Sequence, residues 1–301
     1  LLASVGYVGT HAVKLFTAVG INYGQLGGGT ASQPFSNIQD YATGITTPEP
    51  WGEDTYNSLQ ATVNKRLSNG FTFQAAYTYS KDIGMATSIL IPQYINYDHT
   101  TTSLDRTHHL AMSGTYELPF GKSKPFATHG VAGAILGGWM VNGIFNHYSG
   151  SPFTVTASGS TCNCPGNTQT ANQVLSTVAT VGSGVGGQAY FDPLAYAPVT
   201  TVSFGTSGLF TLRGPGSTNL DAGVFRTIRI TERLRAQIRG EALNVSNTPH
   251  FANPGSNVSN RQLNPDGTVK NLNGFSQITS TNALGRLIDQ RYFRFALRIT
   301  F

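Results

Sequence analysis

The sequence has few charged residues and no long apolar run. Charged side chains make up 11% of the 301 residues, whereas about 25% is usual in soluble domains. The longest apolar window, VAGAILGGWMV from Val131, is interrupted by glycines and is shorter than the roughly 20 residues of a membrane-spanning helix. The sequence begins with Leu1 and shows no signal peptide, so we expect a fragment or a mature form of a longer protein.

Cysteine is also scarce, and the two residues present are close together. Cys162 and Cys164 form a C-x-C pair in STCNCPGN, which lacks the two further ligands of a zinc site. In an oxidising compartment the pair can form a small loop disulfide, and the alternative of two free thiols stays open. The net charge of +5 comes from scattered basic residues rather than a basic run with aromatics, so nucleic-acid binding is not expected.

Motifs for catalysis or cofactor binding are missing or lack the right context. The stretch GSGVGG at 182–187 has the residue pattern of a dinucleotide fingerprint but not its structural context, because it lies in a Ser/Thr/Gly-rich loop with no helix after it. Five potential metal ligands lie near one another in sequence, but we interpret them as part of a polar loop: Asp98, His99, Asp105, His108 and His109. We therefore expect no enzyme activity, no cofactor and no metal.

What the sequence does contain is alternation of apolar and polar residues. In the last ten residues, YFRFALRITF, an apolar set alternates with arginines: Phe293, Phe295, Leu297, Ile299 and Phe301. Period-two alternation gives a β-strand one apolar face and one polar face. Such a strand fits a soluble sheet with the apolar face in its core. It fits equally well a transmembrane barrel with the apolar face in lipid and the arginines in a wet lumen.

The spacing of the strands favours the barrel. About eight alternating segments are separated by long predicted loops with no structure of their own, at about 10–54, 81–106, 150–217 and 247–289. Short turns at Ser68-Asn69-Gly70 and Thr231-Glu232, and a medium link from Pro119 to about Leu136, fall between them. Outer-membrane barrels have short periplasmic turns and long extracellular loops. We therefore predict an all-β, antiparallel transmembrane β-barrel in the cell outer membrane, with the C-terminus in the periplasm.

Charged residues, most of them basic, lie on the predicted lumen face of the last strands. The set comprises Arg233, Arg235, Arg239, Glu241, Arg294 and Arg298. We favour a structural charge network over a lining that attracts anions. Arg226 interrupts the apolar face of its strand.

Several stretches resemble a known family. The segments YNSLQATVNKRLSNGFTFQAAYTYSKDI, DRTHHLAMSGTYELPFGKSKP and RGPGSTNLDAGVFRTIRITERLRAQIRGEALNVSNTPHFANP resemble the C-terminal barrel of Oar-like TonB-dependent receptors, which often carry a carboxypeptidase-regulatory-like domain. The resemblance implies a 22-stranded barrel, of which residues 1–301 supply about the last eight strands, without the plug domain and the N-terminal domain. It also implies that Phe301 and the apolar stripe before it are recognised by the outer-membrane assembly machinery.

The expected function is TonB-dependent transport of an unidentified substrate, with this chain as part of the barrel wall. Expected partners are outer-membrane lipid, an extracellular ligand, the assembly machinery, and the TonB complex through the missing N-terminal part. One alternative is an autonomous eight-stranded barrel that acts as an adhesin or structural protein. Another is a soluble glycan-binding β-sandwich. If only these strands are present, we expect an open sheet with unpaired first and last strands.

Overall fold

The computed structural model describes residues 1–38, 44–85, 88–283 and 288–301. Eight long strands form one antiparallel sheet. They are β1 (Leu2–Gly20), β2 (Thr46–Ser68), β3 (Phe71–Gly84), β4 (His108–Glu117), β5 (Trp139–Tyr148), β6 (Ser217–Arg229), β7 (Arg235–Leu243) and β8 (Tyr292–Thr300). A two-residue strand, Thr100–Thr101, pairs with the loop end of β3.

Each long strand pairs with the one that precedes it and the one that follows it in the chain, and β1 does not pair with β8. The sheet is therefore open, with β1 and β8 as its edges. This confirms the prediction of an all-β, antiparallel and open sheet. It contradicts the alternative of a β-sandwich, because the strands form one long sheet rather than two sheets packed face to face.

The register joins the apolar faces of successive strands into continuous rows. One such row crosses six strands and contains Ala3, Val63, Ala75, Met112, Phe145 and Leu220. On the opposite face, a row that we call the polar row contains Asn64, Gln74, Ser113 and Asp221, with Ile144 as an apolar member. Because side chains alternate along every strand, a one-residue slip would mix these rows, and the register is set accordingly. The predicted turn between β2 and β3 is present, with Asn69 and Gly70 at positive φ, as tight hairpin turns require.

Two predicted boundaries need correction. The loop predicted at 10–54 is too long at both ends, because β1 continues to Gly20 and β2 begins at Thr46. Backbone pairing there continues between Thr17 and Glu49, beyond register shifts at Val13–Leu15 and Leu15–Thr17 that break the strict period-two alternation. Arg233 was predicted on a strand, but it lies in the turn between β6 and β7. That turn is closed by hydrogen bonds from the amides of Ile230 and Thr231 to the carbonyl of Leu234.

The buried core lies in the loops. Residues 149–216 and 247–283, here called the loop cap, pack around ten buried side chains: Phe153, Val155, Ala157, Ala171, Phe191, Ala195, Tyr196, Val199, Val258 and Phe275. Three pairs of short strands reinforce it: Pro152–Phe153 with Leu212–Arg213, Asn172–Gln173 with Tyr196–Ala197, and Gln262–Leu263 with Val269–Asn271. The prediction that these loops have no structure of their own was wrong.

Helices are few and short. The α-helix α1 (Gly130–Leu136) lies in the link between β4 and β5, and 3-10 turns occur at Thr30–Ser32, Pro92–Asp98 and Val258–Asn260. Across the described ranges, no helix combines the length and the apolar character needed to cross a membrane.

Candidate functional site

The polar face of the sheet is its concave face. Four cavities along the sheet are lined by side chains of that face, among them Gln74, Asn142, Asp221 and Arg298. The apolar face, which carries Val5, Phe295 and similar exposed side chains, is therefore convex. A wall that is polar inside and apolar outside matches the predicted lumen and lipid faces.

The largest of these cavities has a volume of about 570 Å³ and lies where the concave face meets the loop cap. We call it the rim pocket. Its floor comes from the loop ends of β5 and β6, its roof comes from the loop cap, and Arg106 comes from the segment before β4. The lining includes Arg106, Asn146, Tyr148, Ser217, Asn219, Asp221, His250, Phe251 and Asn282. Strands position the floor and a loop supplies the roof, so the pocket forms only in the folded chain.

His250 attaches the roof to the wall. The imidazole is buried, with Nε2 3.0 Å from the carbonyl oxygen of Thr218 and Nδ1 2.5 Å from Oδ1 of Asp289. The amide of His250 also donates to Oδ2 of Asp289. These contacts join β6, the loop cap and the residues just before β8.

Several polar atoms around the rim pocket lack hydrogen-bond partners within the part of the chain that the structure describes. Asn219 is 6% exposed, and neither its Oδ1 nor the Oγ of Ser217 has a partner. On β4, His109 stacks on Tyr148 with ring centroids 4.1 Å apart, and its Nε2 also has no partner. A buried polar atom without a partner costs about 1–3 kcal/mol. These atoms are enclosed by protein, so the polar lining of the rim pocket, rather than these atoms, is what suits it to a polar ligand.

Arg106 brings positive charge to the same rim. Its guanidinium donates to the carbonyl of Asp105 at 2.9 Å and to that of Ser103 at 3.3 Å. Burial, and then the neighbouring Arg213, lower the pKa of Arg106. Because arginine stays protonated even after such a shift, the pocket keeps one cationic donor.

The predicted lumen charges are only partly brought together. Glu241 contacts Arg239 at 3.4 Å and Arg294 at 3.1 Å, across β7 and β8. Arg298 lines a small cavity with Arg239. Arg235 faces Thr300 in the register near the turn, and Arg233 lies outside the strand. The contacts around Glu241 have the form of a charge network, while the role of these residues stays a prediction.

The five clustered loop residues are used separately. The Asp98 carboxylate accepts the amides of Leu90 at 2.6 Å and Ile91 at 3.0 Å; burial raises its pKa, while these bonds oppose the shift. Asp105 pairs with Arg213. His99 and His108 contact other partners, Glu53 and Tyr77. In the residues with a described placement, no three potential ligands are grouped as a metal site.

The remaining predicted residues lie in two places. Cys162 and Cys164 are buried and joined by a disulfide in the loop cap, where the Cys162 carbonyl accepts the amide of Gly27 at 2.8 Å. The stripe of Phe293, Phe295, Leu297, Ile299 and Phe301 is exposed on the convex face. Its recognition by the assembly machinery stays a prediction.

The rim pocket was missed from the sequence. Asn219 and Asp221 belong to the polar set of β6, and that alternation places them on the lumen face. Nothing in the sequence indicated that residues 247–283 would fold back over them.

A sheet with a polar concave face and an apolar convex face is the wall of a membrane β-barrel. Residues 1–290 match the family model of the outer membrane beta barrel domain. The chain therefore belongs to that family, and its location is the outer membrane.

Two further comparisons, with solved structures and with curated sequences, assign no function to the chain. The outer membrane transporter YddB from Escherichia coli has a similar backbone, with a TM-score of 0.45 and 10% sequence identity. The match covers 99% of this chain and 30% of the transporter, so the chain spans less than a third of that protein. No curated protein sequence matches the chain.

Proposed function

We propose that this chain is the C-terminal part of the barrel wall of an Oar-like, TonB-dependent outer-membrane transporter. The observation that carries the proposal is the rim pocket, a cavity of about 570 Å³ with a largely polar lining at the loop end of a polar lumen face. A transporter needs such a pocket where its ligand first meets the lumen. The resemblance of the sequence to Oar-like receptors supports the same conclusion.

In this proposal the chain binds and guides a substrate but catalyses no covalent chemistry. The loop cap would admit the ligand from outside, and the rim pocket would hold it. The plug and the TonB-interacting segment would come from the N-terminal part of a 22-stranded barrel. The short turns, and with them the C-terminus, would then lie in the periplasm.

The alternative of an autonomous eight-stranded barrel has less support. Closure would require β1 and β8 to pair, and they do not pair in this sheet. Eight strands would also leave an interior filled by side chains, whereas the concave face here is open along its length.

The test uses the full-length protein in its own outer membrane. We expect a band that shifts on boiling, and we expect the purified protein to bind the periplasmic domain of TonB. The control is a variant that lacks the N-terminal TonB-interacting segment, which should shift but not bind. A full-length band that shifts without TonB binding would overturn the transporter proposal and favour an adhesin or structural barrel. A band that does not shift would overturn the barrel itself.

A further inference from the structure

The link between β4 and β5 carries an apolar surface at the end of the sheet where the short turns lie. It contains α1, whose Val131 and Ile135 are 75% and 59% exposed. These residues are four apart and share one face of the helix. Phe126, just before α1, is also exposed. A turn that faces only water would offer no apolar surroundings to these three side chains.

Two side chains of the wall hold the C-terminal end of α1. The indole Nε1 of Trp139 donates to the carbonyl of Ile135 at 2.9 Å. The guanidinium of Arg226 donates to the same carbonyl at 3.1 Å and also to the carbonyl of Ala134. The last carbonyls of a helix lack partners within it and interact favourably with a cation. The end of α1 is thus attached to the sheet.

These contacts place the end of α1 on the outer side of the wall. Trp139 and Arg226 are partners in the β5–β6 register. They share a face with Val141 and Val224, which are also partners and belong to the convex, apolar side. The C-terminal end of α1 is therefore attached to the lipid-facing side of the wall rather than to the lumen side.

The contact with α1 explains why Arg226 lies on the otherwise apolar face of β6. A cation on a lipid-facing strand costs about 2–4 kcal/mol at the bilayer midplane but about 0–1 kcal/mol near the interface. Arg226 lies near the turn end of β6, contacts helix carbonyls, and has its guanidinium carbon 5.9 Å from the Trp139 ring centroid. Tryptophan beside arginine is typical of the boundary between acyl chains and headgroups.

We propose that residues 126–139 form a membrane-interface anchor, with α1 lying among phospholipid headgroups and Phe126, Val131 and Ile135 directed into the acyl chains. The bound partner is the phospholipid surface itself. The anchor fixes how deep the short-turn end of the barrel sits. It rests on the outer-membrane location of the chain and not on TonB dependence; the orientation proposed above makes this leaflet the periplasmic one.

The experiment is spin-label accessibility in the full-length protein, reconstituted in phosphatidylethanolamine and phosphatidylglycerol vesicles. A nitroxide is attached to Val131→Cys or Ile135→Cys, while Asn69→Cys in the β2–β3 turn is the matched control. We expect labels at 131 and 135 to collide with oxygen more than with a water-soluble nickel chelate, at a depth of about 5–10 Å below the headgroup boundary. The label at 69 should show the reverse.

Two outcomes would overturn the proposal. Nickel accessibility at 131 and 135 equal to that at 69 would place α1 in water. If the labels at 131 and 135 become inaccessible to both oxygen and the nickel chelate only after a periplasmic extract is added, a protein partner covers α1 instead.

A second variant tests the attachment. Arg226→Gln should increase the mobility of the label at 135, whereas Arg229→Gln on the same strand should not. Equal mobility in both variants would contradict the role given to Arg226.

Discussion

Phe275 is a single residue whose burial holds two segments of the loop cap together. It is 0% exposed, and its ring centroid lies 5.3 Å from that of Phe191, which belongs to the other segment. Replacing a buried phenylalanine by alanine costs about 3–5 kcal/mol. We expect Phe275→Ala to loosen the loop cap without unfolding the barrel, measured as faster cleavage by an added protease in outer membranes that contain the full-length protein.

The control for Phe275 lies in the same part of the loop cap. Leu263 is exposed, so Leu263→Ala should leave the cleavage rate unchanged. Both variants should keep the band shift on boiling, because the sheet does not depend on the cap core. Equal cleavage of the two variants would contradict a packed cap.

At the scale of the element, neighbouring residues of β4 face opposite solvents. Met112 belongs to the apolar row between Ala75 and Phe145, and Ser113 belongs to the polar row between Gln74 and Ile144. We expect Met112→Arg to cost about 2–4 kcal/mol, as for a cation at the lipid midplane, and to reduce the heat-shifted fraction of the full-length protein. Ser113→Arg should fold normally. Similar losses in both variants would mean that the two faces have been assigned wrongly.

The elements were predictable from the sequence where one face meets an apolar medium. Strands β4 and β7 could be placed because alternation is a local pattern with a strict period. The loop ends of β1 and β2 could not, because register shifts between Val13 and Thr17 break the strict period, even though Thr17 and Val19 are buried there. Arg233 shows the opposite error, since a basic alternation continued past the end of the strand into the turn.

The rim pocket could be predicted from the sequence only in part. Its floor residue Asn219 follows from the alternation of β6. Its roof depends on His250, whose partners Thr218 and Asp289 are 32 and 39 residues away in sequence. Contacts of that range are set by how the loop cap packs around its own core, and a single sequence carries no local signal for such packing.

At the scale of the whole molecule, the open sheet makes a prediction about the full-length barrel. In a 22-stranded barrel, the free edges of β1 and β8 each pair with strands outside this chain, because an unpaired edge is not tolerated in lipid. In an eight-stranded barrel they would pair with each other. Cysteine pairs across the candidate seam distinguish the two, since a disulfide needs Cα atoms within about 7 Å.

We therefore expect no cross-link between Leu297→Cys on β8 and a cysteine at Ala3, Val5 or Tyr7 on β1, when the full-length protein is oxidised in its membrane. The positive control is Ile238→Cys with Leu297→Cys, which face each other in the β7–β8 register and should cross-link. The cross-linked protein is detected as a band on a non-reducing gel, and this band disappears when a reducing agent is added. A cross-link from β8 to any of the three β1 positions would close the barrel at eight strands, because only paired strands bring these residues within reach. The wide lumen and the transporter proposal would then both be lost.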